Sequence, residues 1–207
     1  DYEICLRIPA WSSHKWSASV NDEKVQAEVK DGRFELSFLL EKPEFINFSC
    51  YKIFFGNVWA KPGDRMVLEG NKPVYTGGEY ELNNLLTELN TKYTDRWPGY
   101  GDDVFDQKRG KLSYDIYASI KNEIDASALQ PEMKRMLTGY FQGVLLDKMY
   151  GRVATSKVIG KGFPRPIVKN GYSNAVLKLE LLPELVNYPS WTDCVQELLY
   201  ARLAAGM

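Results

Sequence analysis

The chain has 207 residues, of which 44% are hydrophobic and 26% are charged, a composition typical of a folded protein with a sizeable core. Its 26 basic and 27 acidic residues leave a net charge of -1, so we expect no nucleic-acid partner and no binding to an anionic membrane surface. A run of about eighteen apolar residues does not occur, and we therefore expect no transmembrane helix.

Residues 1–78 show the alternation of apolar and polar side chains that is typical of β-strands. The clearest example flanks Asp31-Gly32, a pair that favours a hairpin turn. Pro62-Gly63 predicts a second tight turn, because proline fixes φ and glycine allows positive φ, and we expect Asp64 to hydrogen-bond to the backbone of that turn. The pattern predicts an antiparallel β-sandwich, with a small barrel as the alternative.

Residues 79–207 show the apolar spacing of amphipathic helices. Pro131 suits the first turn of a helix, and Ser190 followed by Asp193 suits the start of the last one. Four buried stripes predict four helices: Leu82, Leu85, Leu86, Leu89 and Tyr93; Leu112, Ile116, Ile120 and Ile124; Met133, Met136, Leu137, Tyr140, Phe141, Val144 and Leu145; and Trp191, Val195, Leu198, Leu199 and Leu203. The predicted fold class is α+β, with a β-sandwich over residues 1–78 and an α-helical region over residues 79–207.

The three cysteines, Cys5, Cys50 and Cys194, are widely spaced and form no C-x-x-C pair and no zinc-ligand cluster. We expect them to be buried free thiols, which is a common state of unpaired cysteine. A disulfide between Cys5 and Cys50 stays open as an alternative if their strands are neighbours.

Candidate catalytic residues are few. His14 is the only histidine, and neither a nucleophile motif nor metal-ligand spacing accompanies it. Asp102, Asp103 and Asp106 share one predicted loop, but they lack the spacing of a calcium-binding loop. These aspartates or His14 could serve a hydrolase, an interpretation that we rank below the two functions given below. The glycines form no phosphate-binding motif, so we expect no cofactor.

Aromatic side chains in or beside predicted loops form the only candidate ligand or partner surface. Tryptophan and tyrosine can stack on sugar rings or anchor a partner protein when they are exposed. The candidates are Trp97, Tyr100, Trp59 and Trp11. The competing interpretation is that these rings cover a seam between domains.

Three segments together resemble a known family. They are Lys30–Phe48, Val58–Gly70 and Tyr75–Leu86, and they resemble the N-terminal domains that precede a thioredoxin-like module in bacterial TlpA-type thiol-disulfide oxidoreductases. The residues that match the family pattern are Asp31, Gly32 and Phe34 in the hairpin; Pro43; Pro62, Gly63 and Asp64 in the turn; and Gly78 and Asn83 at the start of a helix.

The resemblance implies a non-catalytic module in the cell envelope or periplasm, which positions a redox domain or binds a partner protein. The family carries its catalytic C-x-x-C in the thioredoxin-like domain, and that motif is absent from this chain. No redox residue is therefore assigned here, and we expect a thioredoxin-like domain to follow Met207 in the parent protein.

A shorter stretch, Leu6–Val25, resembles a strand pair in the C-terminal β-sandwich of some bacterial glycosidases. It ends in Asn21-Asp22 and carries no catalytic residue of that family. It supports a β-hairpin. The alternative function that remains open is carbohydrate or peptide binding by the loop aromatics.

Overall fold

The fold is given by a computed structural model, which describes residues 2–7, 18–20, 23–25, 28–30, 33–50, 54–69, 74–98, 107–150 and 174–205. The chain forms two compact units, residues 1–91 and residues 92–207. None of the helices in the described ranges is both long and apolar enough to span a bilayer.

The first unit contains nine described strands in two sheets. The strands are β1 Tyr2–Arg7, β2 Ala18–Val20, β3 Glu23–Val25, β4 Glu28–Lys30, β5 Arg33–Phe38, β6 Glu44–Cys50, β7 Phe54–Ala60, β8 Arg65–Glu69 and β9 Val74–Thr76. One sheet has the order β4-β5-β1-β8-β9 and the other has the order β3-β2-β6-β7.

Two of the expected hairpins are present. Lys30 pairs with Arg33 across the predicted Asp-Gly turn, and Val20 pairs with Glu23 within the Leu6–Val25 stretch. The purely antiparallel pattern that we expected is wrong at one place, because β1 and β8 run parallel. Tight hairpins enforce antiparallel neighbours. β8 instead follows a turn from the other sheet, so its direction is not set by a hairpin with β1.

The apolar side chains that the structure describes as buried in the first unit come from both sheets, from the connection between β5 and β6, and from the helix that follows the strands. They are Leu40, Phe45, Ile46, Val58, Trp59, Ala60, Met66, Tyr75, Leu82, Leu86 and Leu89. Phe45 and Trp59 are opposite each other on β6 and β7, and their rings pack edge to face with centroids 4.9 Å apart. Such pairs stabilise a sheet beyond the area that they bury.

The helices in the described ranges are α1 Tyr80–Tyr93, α2 Gln107–Ala126, α3 Pro131–Tyr150, the short α4 Asn174–Leu177 and α5 Trp191–Ala205. Two 3₁₀ helices, Thr94–Arg96 and Pro183–Asn187, lie between them. All four predicted helices are confirmed, and α3 begins at Pro131 as expected. The predicted α+β class is likewise confirmed.

The buried faces of two helices differ from the predicted stripes. Leu112 on α2 is 45% exposed, and Trp191 and Leu199 on α5 are 37% and 51% exposed. α5 buries Leu198 as predicted, and it also buries Cys194, whose Sγ lies 3.8 Å from the Gly143 carbonyl oxygen of α3. Hydrophobic spacing alone located this helix, but it predicted the buried face only in part.

Candidate functional site

Trp59 does not belong to an exposed surface. Its side chain is 4% exposed and packs on Phe45, so the expectation of an accessible Trp59 is wrong. The physical reason is its place on β7, where it lies opposite Phe45 in the sheet. The indole Nε1 is buried and has no hydrogen-bond partner among the residues that the structure describes.

Of the other aromatic candidates, only Trp97 can be placed. It follows the 3₁₀ helix Thr94–Arg96 and is half-buried, beside the exposed Arg96. The Arg96 guanidinium lies 5.0 Å from the centroid of the Tyr93 ring. This cation–π contact stabilises the 3₁₀ helix that precedes Trp97. Trp11 and Tyr100 lie outside the described residues.

The catalytic candidates cannot be placed either. His14, Asp102, Asp103 and Asp106 all lie outside the described ranges. Among the residues inside these ranges, no group of three or more histidine, cysteine, aspartate or glutamate side chains is arranged to hold a metal ion.

The turn from Lys61 to Asp64 carries the chain from β7 in one sheet to β8 in the other. Its backbone closes through a hydrogen bond of 3.1 Å from Asp64 N to the Lys61 carbonyl oxygen. Gly63 has φ of 85°, as the third residue of such a turn requires. The Asp64 carboxylate accepts a hydrogen bond of 3.0 Å from Lys61 N, which confirms the role that the sequence predicts for it.

The chain returns to this turn just before α1. Gly78 lies against the Asp64 side chain, so that a Cβ atom on Gly78 would be 3.1 Å from Asp64 Oδ2. Gly77 packs still more closely, because a Cβ there would be 2.3 Å from the Arg65 carbonyl oxygen. Both glycines have positive φ. Glu79 then forms an ion pair with Lys61 across the same turn.

Asn83 on α1 connects the two sheets. Its Oδ1 accepts a hydrogen bond of 2.7 Å from Trp59 N, and its Nδ2 donates one of 2.9 Å to the Trp59 carbonyl oxygen. The same Nδ2 also contacts Met66 Sδ on β8 at 3.4 Å. Because Asn83 is fully buried, every polar atom of its amide must find a partner, and these contacts provide them.

Asn84, the next residue, binds β9 in the same manner. Its Oδ1 accepts a hydrogen bond of 2.7 Å from Tyr75 N, and its Nδ2 donates one of 3.1 Å to the Tyr75 carbonyl oxygen. These two asparagines explain why α1, as far as Thr91, belongs to the first compact unit although the described strands end at Thr76. The sequence resemblance included Asn83, but it did not single out Asn84.

The second unit uses polar side chains for a similar purpose. Gln142 on α3 donates to the Glu180 carbonyl oxygen and accepts from Leu182 N, both at 2.9 Å. Arg202 on α5 donates to the carbonyl oxygens of Leu177 and Leu179, at 2.7 and 2.6 Å. Side chains of α3 and α5 thus bind the main-chain groups of the segment that connects α4 to the second 3₁₀ helix. The sequence indicates a buried polar contact at Gln142, because an amide side chain there interrupts a run of apolar residues on α3.

Cys194 does not have the properties of a reactive thiol. It is buried and free, and burial, with smaller contributions from Asp147 and Asp193, raises the pKa of its thiol to about 12. Burial also raises the pKa of Asp147. A nucleophilic or redox cysteine needs an accessible thiolate. The expectation of a buried free thiol is confirmed for Cys194.

Cys5 and Cys50 lie on strands that are not neighbours. β1 pairs with β5 and β8, whereas β6 pairs with β2 and β7. The condition that we set for a Cys5–Cys50 disulfide, adjacent strands, is therefore not met.

One polar cluster in the second unit lies partly at the surface. Glu123 on α2 accepts hydrogen bonds from Lys92 Nζ, at 2.7 Å, and from the Tyr93 hydroxyl. The hydrogen bonds from these two partners hold the pKa of the Glu123 carboxyl below its usual value. Burial, together with the bond to Glu123, raises the pKa of the Tyr93 hydroxyl. The cluster joins Lys92 and Tyr93, the last two residues of α1, to α2 within the second unit.

Five of the residues that the sequence resemblance marks, Pro62, Gly63, Asp64, Gly78 and Asn83, thus lie around one turn and the start of α1. Asp31 and Gly32 lie outside the described residues. Comparison with known proteins gives no match to a family model, to a curated protein or to a solved structure.

Proposed function

We propose that this chain is the non-catalytic N-terminal module of a bacterial envelope thiol-disulfide oxidoreductase of the TlpA type, where it positions a thioredoxin-like domain or binds a partner protein. One observation carries the proposal. Pro62, Gly63, Asp64, Gly78 and Asn83, which match the family pattern, lie around a single turn and the start of the helix beside it.

The roles of these residues are those of a scaffold. Gly63 supplies a positive φ, Asp64 binds the backbone of its own turn, and Asn83 binds the backbone of β7. A pattern whose residues all determine the course of the chain fits a module that supports chemistry carried out elsewhere. The absence of C-x-x-C from the sequence and the inert state of Cys194 agree with this assignment.

The β-sandwich is the finer architecture that we propose for the first unit. Two features support it. The Lys61–Asp64 turn takes the chain directly from the four-stranded sheet to the five-stranded one, and Asn83 contacts a strand of each. Sheets joined by such a corner can pack face to face and share one core.

The sequence of the gene beyond codon 207, with an activity assay, tests the proposed function. We expect the reading frame to continue into a thioredoxin-like domain with C-x-x-C. The full-length protein should then reduce an insulin disulfide, and the Cys→Ser variant of that motif should not. A frame that stops, or that continues into an unrelated domain, contradicts the proposal. Glycan binding that is lost in Trp97→Ala would favour the alternative binding function instead.

A further inference from the structure

We draw no further inference here: the strongest candidate, the exposed apolar surface patch of α5 at Trp191 and Leu199, carries no proposal because nothing in the described part of the chain shows what covers it.

Discussion

Asp64 and Gly63 stabilise the turn in different ways. Gly63 is exposed, and a Cβ atom there would meet no other atom within 4 Å, so only its φ of 85° restricts the residue type. Asp64 acts through its side chain, which binds Lys61 N. The two residues can therefore be tested separately.

We expect Gly63→Val to lower the free energy of unfolding by about 1–2 kcal/mol or more, because a β-branched residue is strained at positive φ. Gly63→Asn should lower the free energy of unfolding by less, since asparagine tolerates this conformation. Asp64→Ala should cost about 0.5–1.5 kcal/mol through the lost hydrogen bond. Urea denaturation measures the free energy of unfolding of all three variants. Equal stability of Gly63→Val and the parent would contradict the turn conformation.

Glu123 predicts a dependence of stability on pH. Hydrogen bonds from Lys92 and Tyr93 lower its pKa in the folded state. Its contribution is therefore present above the unfolded pKa, about 4.3 for glutamate, and is lost as pH falls through the folded value. We expect Glu123→Gln to lower Tm by about 1–4 °C at pH 7, since the cluster is partly exposed to solvent.

The difference between Glu123→Gln and the parent should narrow as the pH falls below about 4. Asp115→Asn is the matched control on the same helix, because Asp115 pairs with Lys111 at a more exposed position. Calorimetry at several pH values measures both variants. A difference in Tm that does not change with pH would show that the charge of Glu123 does not contribute to the stability of the fold.

Among the helices, α3 is distinguished by two glycines on the face that meets the second 3₁₀ helix. A Cβ atom on Gly139 would be 2.7 Å from the Glu184 backbone, and one on Gly143 would be 2.2 Å from the Tyr188 ring. Tyr188 also packs against Tyr140, with ring centroids 5.5 Å apart. The absence of side chains at these positions allows the segment to approach the helix.

We expect Gly143→Ala to destabilise the protein by about 1–3 kcal/mol through overpacking, although alanine normally favours a helix. A double-mutant cycle with Tyr188→Ala identifies the cause. In the Tyr188→Ala background the added methyl group has space, so Gly143→Ala should become neutral or stabilising. The same loss of stability in both backgrounds would show that Tyr188 is not the residue with which the methyl group collides.

In each of the two units, polar side chains on helices bind the main chain of a neighbouring segment. In residues 1–91, Asn83 and Asn84 bind strand backbone from a helix. In residues 92–207, Gln142 and Arg202 bind the backbone of an extended segment from two helices. Buried main-chain groups must be paired wherever secondary structure does not pair them. A few amides and one guanidinium therefore determine where irregular or edge segments lie.

Local structure in this protein follows from the amino-acid sequence alone. The period of apolar residues predicted strands and then helices, and Pro62-Gly63 and Pro131 predicted a turn and a helix start that are confirmed. Lys30 and Arg33 pair on either side of Asp31-Gly32, as the predicted hairpin requires. These features depend on φ, ψ and on neighbours along the chain, so a local pattern suffices to predict them. The role of Asp64 was predictable for the same reason, because it binds a residue three positions away.

Which residues are buried, and which distant residues are in contact, depends on how the chain packs. The parallel pairing of β1 with β8, the burial of Trp59 and the orientation of α5 on Cys194 all depend on contacts between segments distant in sequence. The same is true of Asn83, whose partner is 24 residues away. An asparagine on a helix is equally compatible with solvent or with a strand edge, and only the packing of the chain places one against the other.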